Sequence, residues 1–267
     1  MQFLQVLHLG NNSLRGELPR SWINSQNLMI LDLSYNSMVG SIHPTFGLSL
    51  PNLRILSLKN NKFSKGIPSS ICQLTSLQIL DLSSNQLSGP LPNCLYSLTM
   101  MVNNTNFPQP TNSSILESDS AWLMWERNEQ SFNVLRGLVK GIDISDNNLQ
   151  GPIPDQISTL AGLVFLNLSQ NNLTGAIPSG IGQLTSLQCL DLSRNHLSGK
   201  ITTSLASISF LAVLDLSNNS LSGMIPSGTQ LQGFNASAYI GNPGLCGEQL
   251  PACDVPQKGD KIGEAHV

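Results

Sequence analysis

The chain has 267 residues, of which 40% are apolar and 11% charged, with a formal net charge of −3. So little charge, with no basic patch, argues against a nucleic-acid partner. No apolar run approaches the roughly 20 residues that a membrane helix needs, although the apolar share suffices for a continuous thin core.

The chain opens directly on a repeat. Leu4, Leu7 and Leu9 follow Met1 at once and already fit the pattern of what comes next, so no signal peptide is read there. Residues 1–97 carry four copies of one unit, marked by Asn12, Asn36, Asn61 and Asn85 at gaps of 24, 25 and 24. After a gap of 62 the unit returns with Asn147, Asn171, Asn195 and Asn219, each 24 residues on. A fixed period of this length with an L-x-L-x-x-N-x-L core resembles the leucine-rich repeat.

Each position in the unit has a physical task. Apolar residues five and three before the asparagine, such as Leu80 and Leu82, share one face of a short strand. Those two and six after it, such as Leu87 and Leu91, fill the same core. The asparagine can satisfy backbone groups inside a turn that neither sheet nor helix reaches. Glycine four after it permits unusual dihedrals, and proline seven after it holds the chain extended. Lys65 replaces the glycine once, and His43 and Thr202 replace the proline. The 25-residue gap places one extra residue near Leu48–Pro51, on the outer side of the coil. Eight strands at about 4.8 Å spacing stack to roughly 35 Å.

Residues 98–135 interrupt the array. Asn103 to Ser120 is rich in Asn, Thr, Ser and Pro and reads as loop. Ala121-Trp122-Leu123-Met124-Trp125 then reads as an ordered strand. Trp122 and Trp125 suit either packing on the solenoid or contact with a partner. The strand Leu80–Leu82 is expected to pair directly with Ile142–Ile144 across this island, because an unpaired edge would leave backbone groups unsatisfied.

Repeats five to eight occupy 136–232. After Pro226 the pattern stops, and 233–253 reads as a cap over the last turn, followed by a polar tail at 254–267. Without an N-terminal cap, the chain reads as the C-terminal part of something longer or as a truncated product. Seven N-x-S/T sequons, at Asn11, Asn103, Asn112, Asn167, Asn172, Asn218 and Asn235, fit a secreted glycoprotein.

The L-x-G-x-I/L-P tail resembles the plant class of these repeats. Leu138-Val139-Lys140-Gly141-Ile142-Asp143-Ile144-Ser145 and Asn242-Pro243-Gly244-Leu245-Cys246-Gly247, with Ile71-Cys72 and Pro92-Asn93-Cys94-Leu95, are similar to plant receptor-like proteins. That resemblance implies an α/β repeat solenoid. It would be a right-handed curved superhelix with a concave parallel β-sheet, a second small sheet and convex 3₁₀ or loop segments. It also implies an extracellular receptor ectodomain at the plasma membrane, membrane-anchored in full-length relatives, which binds a peptide, glycan or protein and recruits co-receptor and adaptor kinases. The second reading is a secreted inhibitor of cell-wall hydrolases, like the polygalacturonase inhibitors. The island argues against it.

Of five cysteines, Cys246 and Cys253 are read as a pair closing the cap. Cys72 and Cys94 lie on adjacent turns, where a bridge is feasible if their Cα atoms come within roughly 4.4–6.8 Å. Cys189 is left over, pointing outward from its strand. Cys189, Asp191 and His196 share a repeat, but Asp191 holds a place that Asp32, Asp81, Asp143 and Asp215 also hold. The trio therefore reads as scaffold, and neither catalysis, a metal nor a cofactor is expected. The positions one before and one after each asparagine vary and read as binding surface. In the later repeats these are Asp146, Asn148, Gln170, Asn172, Arg194, His196, Asn218 and Ser220. Arg194, His196, Asn218 and Ser220 are the expected co-receptor contacts near the cap.

Overall fold

The computed structural model describes residues 3–19, 25–102, 121–125, 128–132 and 139–253. Among these, two parallel sheets run the length of a repeat solenoid, one of eight strands and one of nine. The eight-stranded sheet takes one three-residue strand from each turn, from Val6–His8 through Ile79–Asp81 and Gly141–Asp143 to Val213–Asp215. Its strands end four residues before each asparagine, so the leucines five before point into the core. Leu31, Leu56, Leu80, Ile142, Leu166 and Leu190 are all fully buried. The nine-stranded sheet takes the stretch just after each asparagine, such as Gln86–Gly89 and Asn172–Gly175.

The island does not break the coil. Ile79, Leu80 and Asp81 pair in parallel register with Gly141, Ile142 and Asp143. The second sheet is bridged likewise, Asn148 against Ser88 and Leu149 against Gly89. Between them, Ala121–Trp125 and Asn128–Phe132 form a separate antiparallel hairpin.

The asparagines form a ladder. Asn85 Nδ2 donates to Leu82 and Ser83 carbonyls in its own turn and to Leu58 in the preceding one. Its Oδ1 accepts the Phe63 N–H at 3.0 Å. Asn61, Asn147, Asn171, Asn195 and Asn219 repeat this pattern. Each glycine four after has φ between +78° and +90°, and Lys65 is forced to the same side at +68°.

The outer side carries 3₁₀ segments, among them Ser69–Gln73, Asp155–Thr159 and Thr203–Ser207. The second repeat instead has a single α-helical turn, Phe46–Ser49. An α-turn holds more residues than a 3₁₀ turn, and so absorbs the extra residue of that repeat. The outer turns stack closely: a Cβ on Gly182 would sit 2.2 Å from the Ser204 carbonyl oxygen.

The ladder does not stop at Pro226, which corrects the reading of the sequence. Asn242, inside the cap, accepts the Leu221 N–H at 3.0 Å and donates to Leu216 and Tyr239 carbonyls. Leu216 and Asn218 donate backbone N–H groups to Ala238 and Ile240, which stand where a ninth inner strand would. Gly244–Cys246 is the ninth strand of the second sheet. The departure was hidden by spacing: Leu245 lies three residues after its asparagine, not two. Tyr239 is fully buried, and its hydroxyl donates to the Leu231 carbonyl at 2.9 Å.

Cys72–Cys94 and Cys246–Cys253 are disulfides, with Cα separations of 5.8 and 5.0 Å. Cys189 lies outside both and is buried. Among the described residues, no helix is long and apolar enough to cross a membrane.

Candidate ligand-binding groove

The inner sheet presents its side chains in rows. The first row, six before each asparagine, is apolar and packs on itself. Ile30, Ile55 and Ile79 form a small cluster separate from the main core, with Val6, Met29 and Val139 against it. Phe165 and Cys189 continue the row and are at most 3% exposed. Cys189 does face the inner side as expected, but its neighbours Phe165 and Val213 bury it.

The second and fourth residues along form a clamp. The Asp81 carboxylate accepts both the N–H and the hydroxyl of Ser83, at 3.0 and 2.6 Å. Asp32 with Ser34, and Asp143 with Ser145, do the same. Asn167 substitutes for the aspartate and holds Ser169 identically. These conspicuous polar residues are therefore framework.

The residue just before each asparagine belongs neither to the apolar row nor to the clamp. Asn11, Tyr35, Asn60, Ser84, Asp146, Gln170, Arg194 and Asn218 all have φ between +50° and +55°. That left-handed region costs a residue other than glycine of order 1 kcal/mol. The backbone enforces it, because each N–H is held by the next turn: Asp146 donates to Ser169 and Arg194 to Ser217. Residue types this varied carry no sequence signature of the conformation, so it was not legible beforehand.

Tyr35, Ser84, Asp146, Gln170, Arg194 and Asn218 line one groove of about 940 Å³ along the inner face. Its far wall is the cap, through Phe234 and Ile240. Sequence reasoning missed those two, since nothing in spacing ties the cap to the inner face. Lys59 also reaches the groove, its amine 5.3 Å from the centre of the Tyr35 ring.

The positions after the asparagine go elsewhere. Asn148, Asn172, His196 and Ser220 each begin a strand of the second sheet. All four are exposed, and none lines the groove. The expected patch thus divides, with Arg194 and Asn218 facing the groove and His196 and Ser220 on the second sheet.

Two buried carboxylates stand at the island junction. Asp81 and Asp143 are paired in register and at most 1% exposed. Burial, the largest influence, pushes both upward, Asp143 to about 7. The like charge of Asp81 raises Asp143 further, while their serines and Lys59 act in the opposite sense.

The sequons fall in different settings. Asn11, Asn172, Asn218 and Asn235 are exposed, whereas Asn167 is 7% exposed and clamped to Ser169. Asn103, Asn112, the side chains of Trp122 and Trp125, and the 254–267 tail lie outside the described residues.

Two family models, both described as leucine-rich repeat, match residues 26–87 with 138–197 and residues 3–25 with 210–231. The receptor-like protein EIX2 of tomato (Solanum lycopersicum) is 54% identical over 242 residues, 87% of this chain. The chain belongs to the plant leucine-rich repeat receptor-like family. It spans 24% of the length of EIX2. Among solved structures, this receptor-like chain is similar to the plant peptide hormone receptor RGFR1 in complex with RGF2. There the TM-score is 0.68 at 31% identity, over 84% of this chain and 30% of that one. The Arabidopsis receptor kinase HAESA, in complex with the peptide hormone IDA and the co-receptor SERK1, gives 0.61 at 30% identity. That match covers 92% of this chain and 38% of the other.

Proposed function

We propose that the chain is a recognition module, without chemistry of its own, from the extracellular face of a plasma-membrane receptor. The inner groove takes an extracellular ligand (a peptide, glycan or protein). The repeats after the island, with the cap, recruit a co-receptor kinase. In this reading 1–97 and 136–232 are the two repeat blocks, 98–135 the island and 233–253 the cap.

The observation that carries it is the row of left-handed residues along the groove. A scaffold that holds six variable groove-lining side chains at strained backbone positions fixes them as a preorganised surface. The likeness to receptors solved in complex with peptide ligands, and in one case with a co-receptor, supports the same partner classes.

The test is binding of the secreted chain to a panel of co-receptor ectodomains, with and without candidate peptides. Saturable binding that Gln170→Arg or Arg194→Glu weakens supports the reading. Binding to a cell-wall hydrolase, with none to co-receptors or peptides, replaces it with the inhibitor reading.

A further inference from the structure

The Asp81–Asp143 pair has features that the rest of the inner sheet lacks. It joins the two strands between which the chain departs into the island, so no short connection helps to hold them. Both side chains are almost fully enclosed. Each uses one oxygen to clamp its serine. The second oxygen of Asp143 receives only a long contact from Asn167 Nδ2, at 3.4 Å. The second oxygen of Asp81 is buried without a hydrogen-bond partner. Adjacent parallel strands hold such residues about 4.8 Å apart.

Charge is unbalanced around the pair if both are ionised. Lys59, 7% exposed, is the cation that acts on both carboxylates, while Asp32 on the far side adds a further repulsion to Asp81. Asp32 has its own neighbour, His8 Nδ1 at 3.5 Å. The residues opposite the pair on the outer strands, Ser57 and Asn167, are neutral. One lysine balances one carboxylate, and a second buried negative charge beside the first is strongly disfavoured. A protonated carboxyl, by contrast, gives the orphaned oxygen a hydrogen to donate or to share.

We infer that Asp81 and Asp143 hold one proton between them, and that the inner sheet at the island junction is fastened while it is bound and loosens when it leaves to solvent. The pair titrates as a unit. Both carboxyls hold protons more tightly folded than unfolded. Their stabilisation is therefore full below the ordinary carboxylate range and declines as pH rises toward and through 7. The groove residues Ser84 and Asp146 follow these strands, so the middle of the groove shares the same dependence. The inference stands apart from the ligand reading and holds whatever the groove binds.

The decisive variant is Asp143→Asn. Asn167 already occupies the same row one strand away and keeps its serine clamp, so the amide fits. Melting temperature is measured for the whole chain between about pH 5.5 and pH 8.5. The wild type is expected to lose about 5 °C or more across that span, and Asp143→Asn to lose much less. Amide exchange of the wild type gives a second readout that needs no variant. At the alkaline end, protection should fall at Leu82 and Ser84, whose N–H groups bond Asp143 and Ser145 carbonyls, before Leu192 and Arg194. A flat wild-type profile, equal slopes in both proteins, or uniform loss of protection would overturn the inference.

Discussion

Asn147 Oδ1 accepts the Leu87 N–H at 2.9 Å, across 60 residues of chain. Its amide nitrogen reaches back to the Leu82 carbonyl at 3.0 Å. One side chain thus ties the fourth turn to the fifth where the island separates them. Asn147→Ala takes this acceptor from the buried Leu87 N–H and leaves the Leu82 carbonyl with only the Asn85 amide. A loss of about 3 kcal/mol is expected, read by urea denaturation. The same change at Asn12, which is exposed and whose side chain bonds within its own turn, should cost under about 1 kcal/mol.

Lys65 carries φ of +68° where the other repeats have glycine. Lys65→Gly relieves that strain at some cost in chain entropy, for a net gain of about 0.5 kcal/mol. The reverse change, Gly175→Ala at φ +78°, should destabilise by about 1 kcal/mol. Paired thermal melts decide both signs.

Cys246→Ser opens the cap bridge, which closes a span of 7 residues. The expected loss is about 2 kcal/mol, seen first as amide exchange at Leu221 and Leu216, which donate to the cap. Non-reducing peptide mapping should recover Cys72–Cys94 and Cys246–Cys253, with Cys189 as a thiol.

Arg194 and His196 flank the buried Asn195 and belong to different surfaces. Arg194→Glu should weaken binding of a groove ligand by about tenfold, with circular dichroism unchanged. His196→Ala should leave groove binding intact and affect only a partner seated on the second sheet. Titration calorimetry with each variant separates the two surfaces. Equal losses would place one partner across both.

Much of the architecture was legible because the code is short-range and repeated. Leu80 and Leu82 declare a strand, Asn85 a ladder rung and Gly89 a left-handed turn, and each recurs at constant spacing. The continuity of Ile79–Asp81 with Gly141–Asp143 followed from the need to pair backbone groups. What escaped was whatever depends on backbone strain or on distant packing. The left-handed φ of Gln170 and Arg194 arises from N–H groups held by the following turn, not from their own side chains. Asn242 escaped because two residues, Pro243 and Gly244, stand between it and its leucine where other turns have one. Burial of the Asp81–Asp143 pair also had no local sign, since Asp32 and Asp191 look the same in sequence and are less enclosed.

The unbroken register across the island bears on how such chains diversify. The hydrogen bonds that set the pitch join residues on facing turns and take no account of how many residues lie between them. Leu82 finds the Asp143 carbonyl at 2.8 Å as Leu58 finds that of Asp81, although one detour is far longer than the other. A duplication or deletion of whole 24-residue units, or the exchange of one island for another, can therefore pass through recombination without disturbing the surviving rungs. New specificities can arise by shuffling cassettes, with the Asn ladder as the reading frame that every successful crossover must respect.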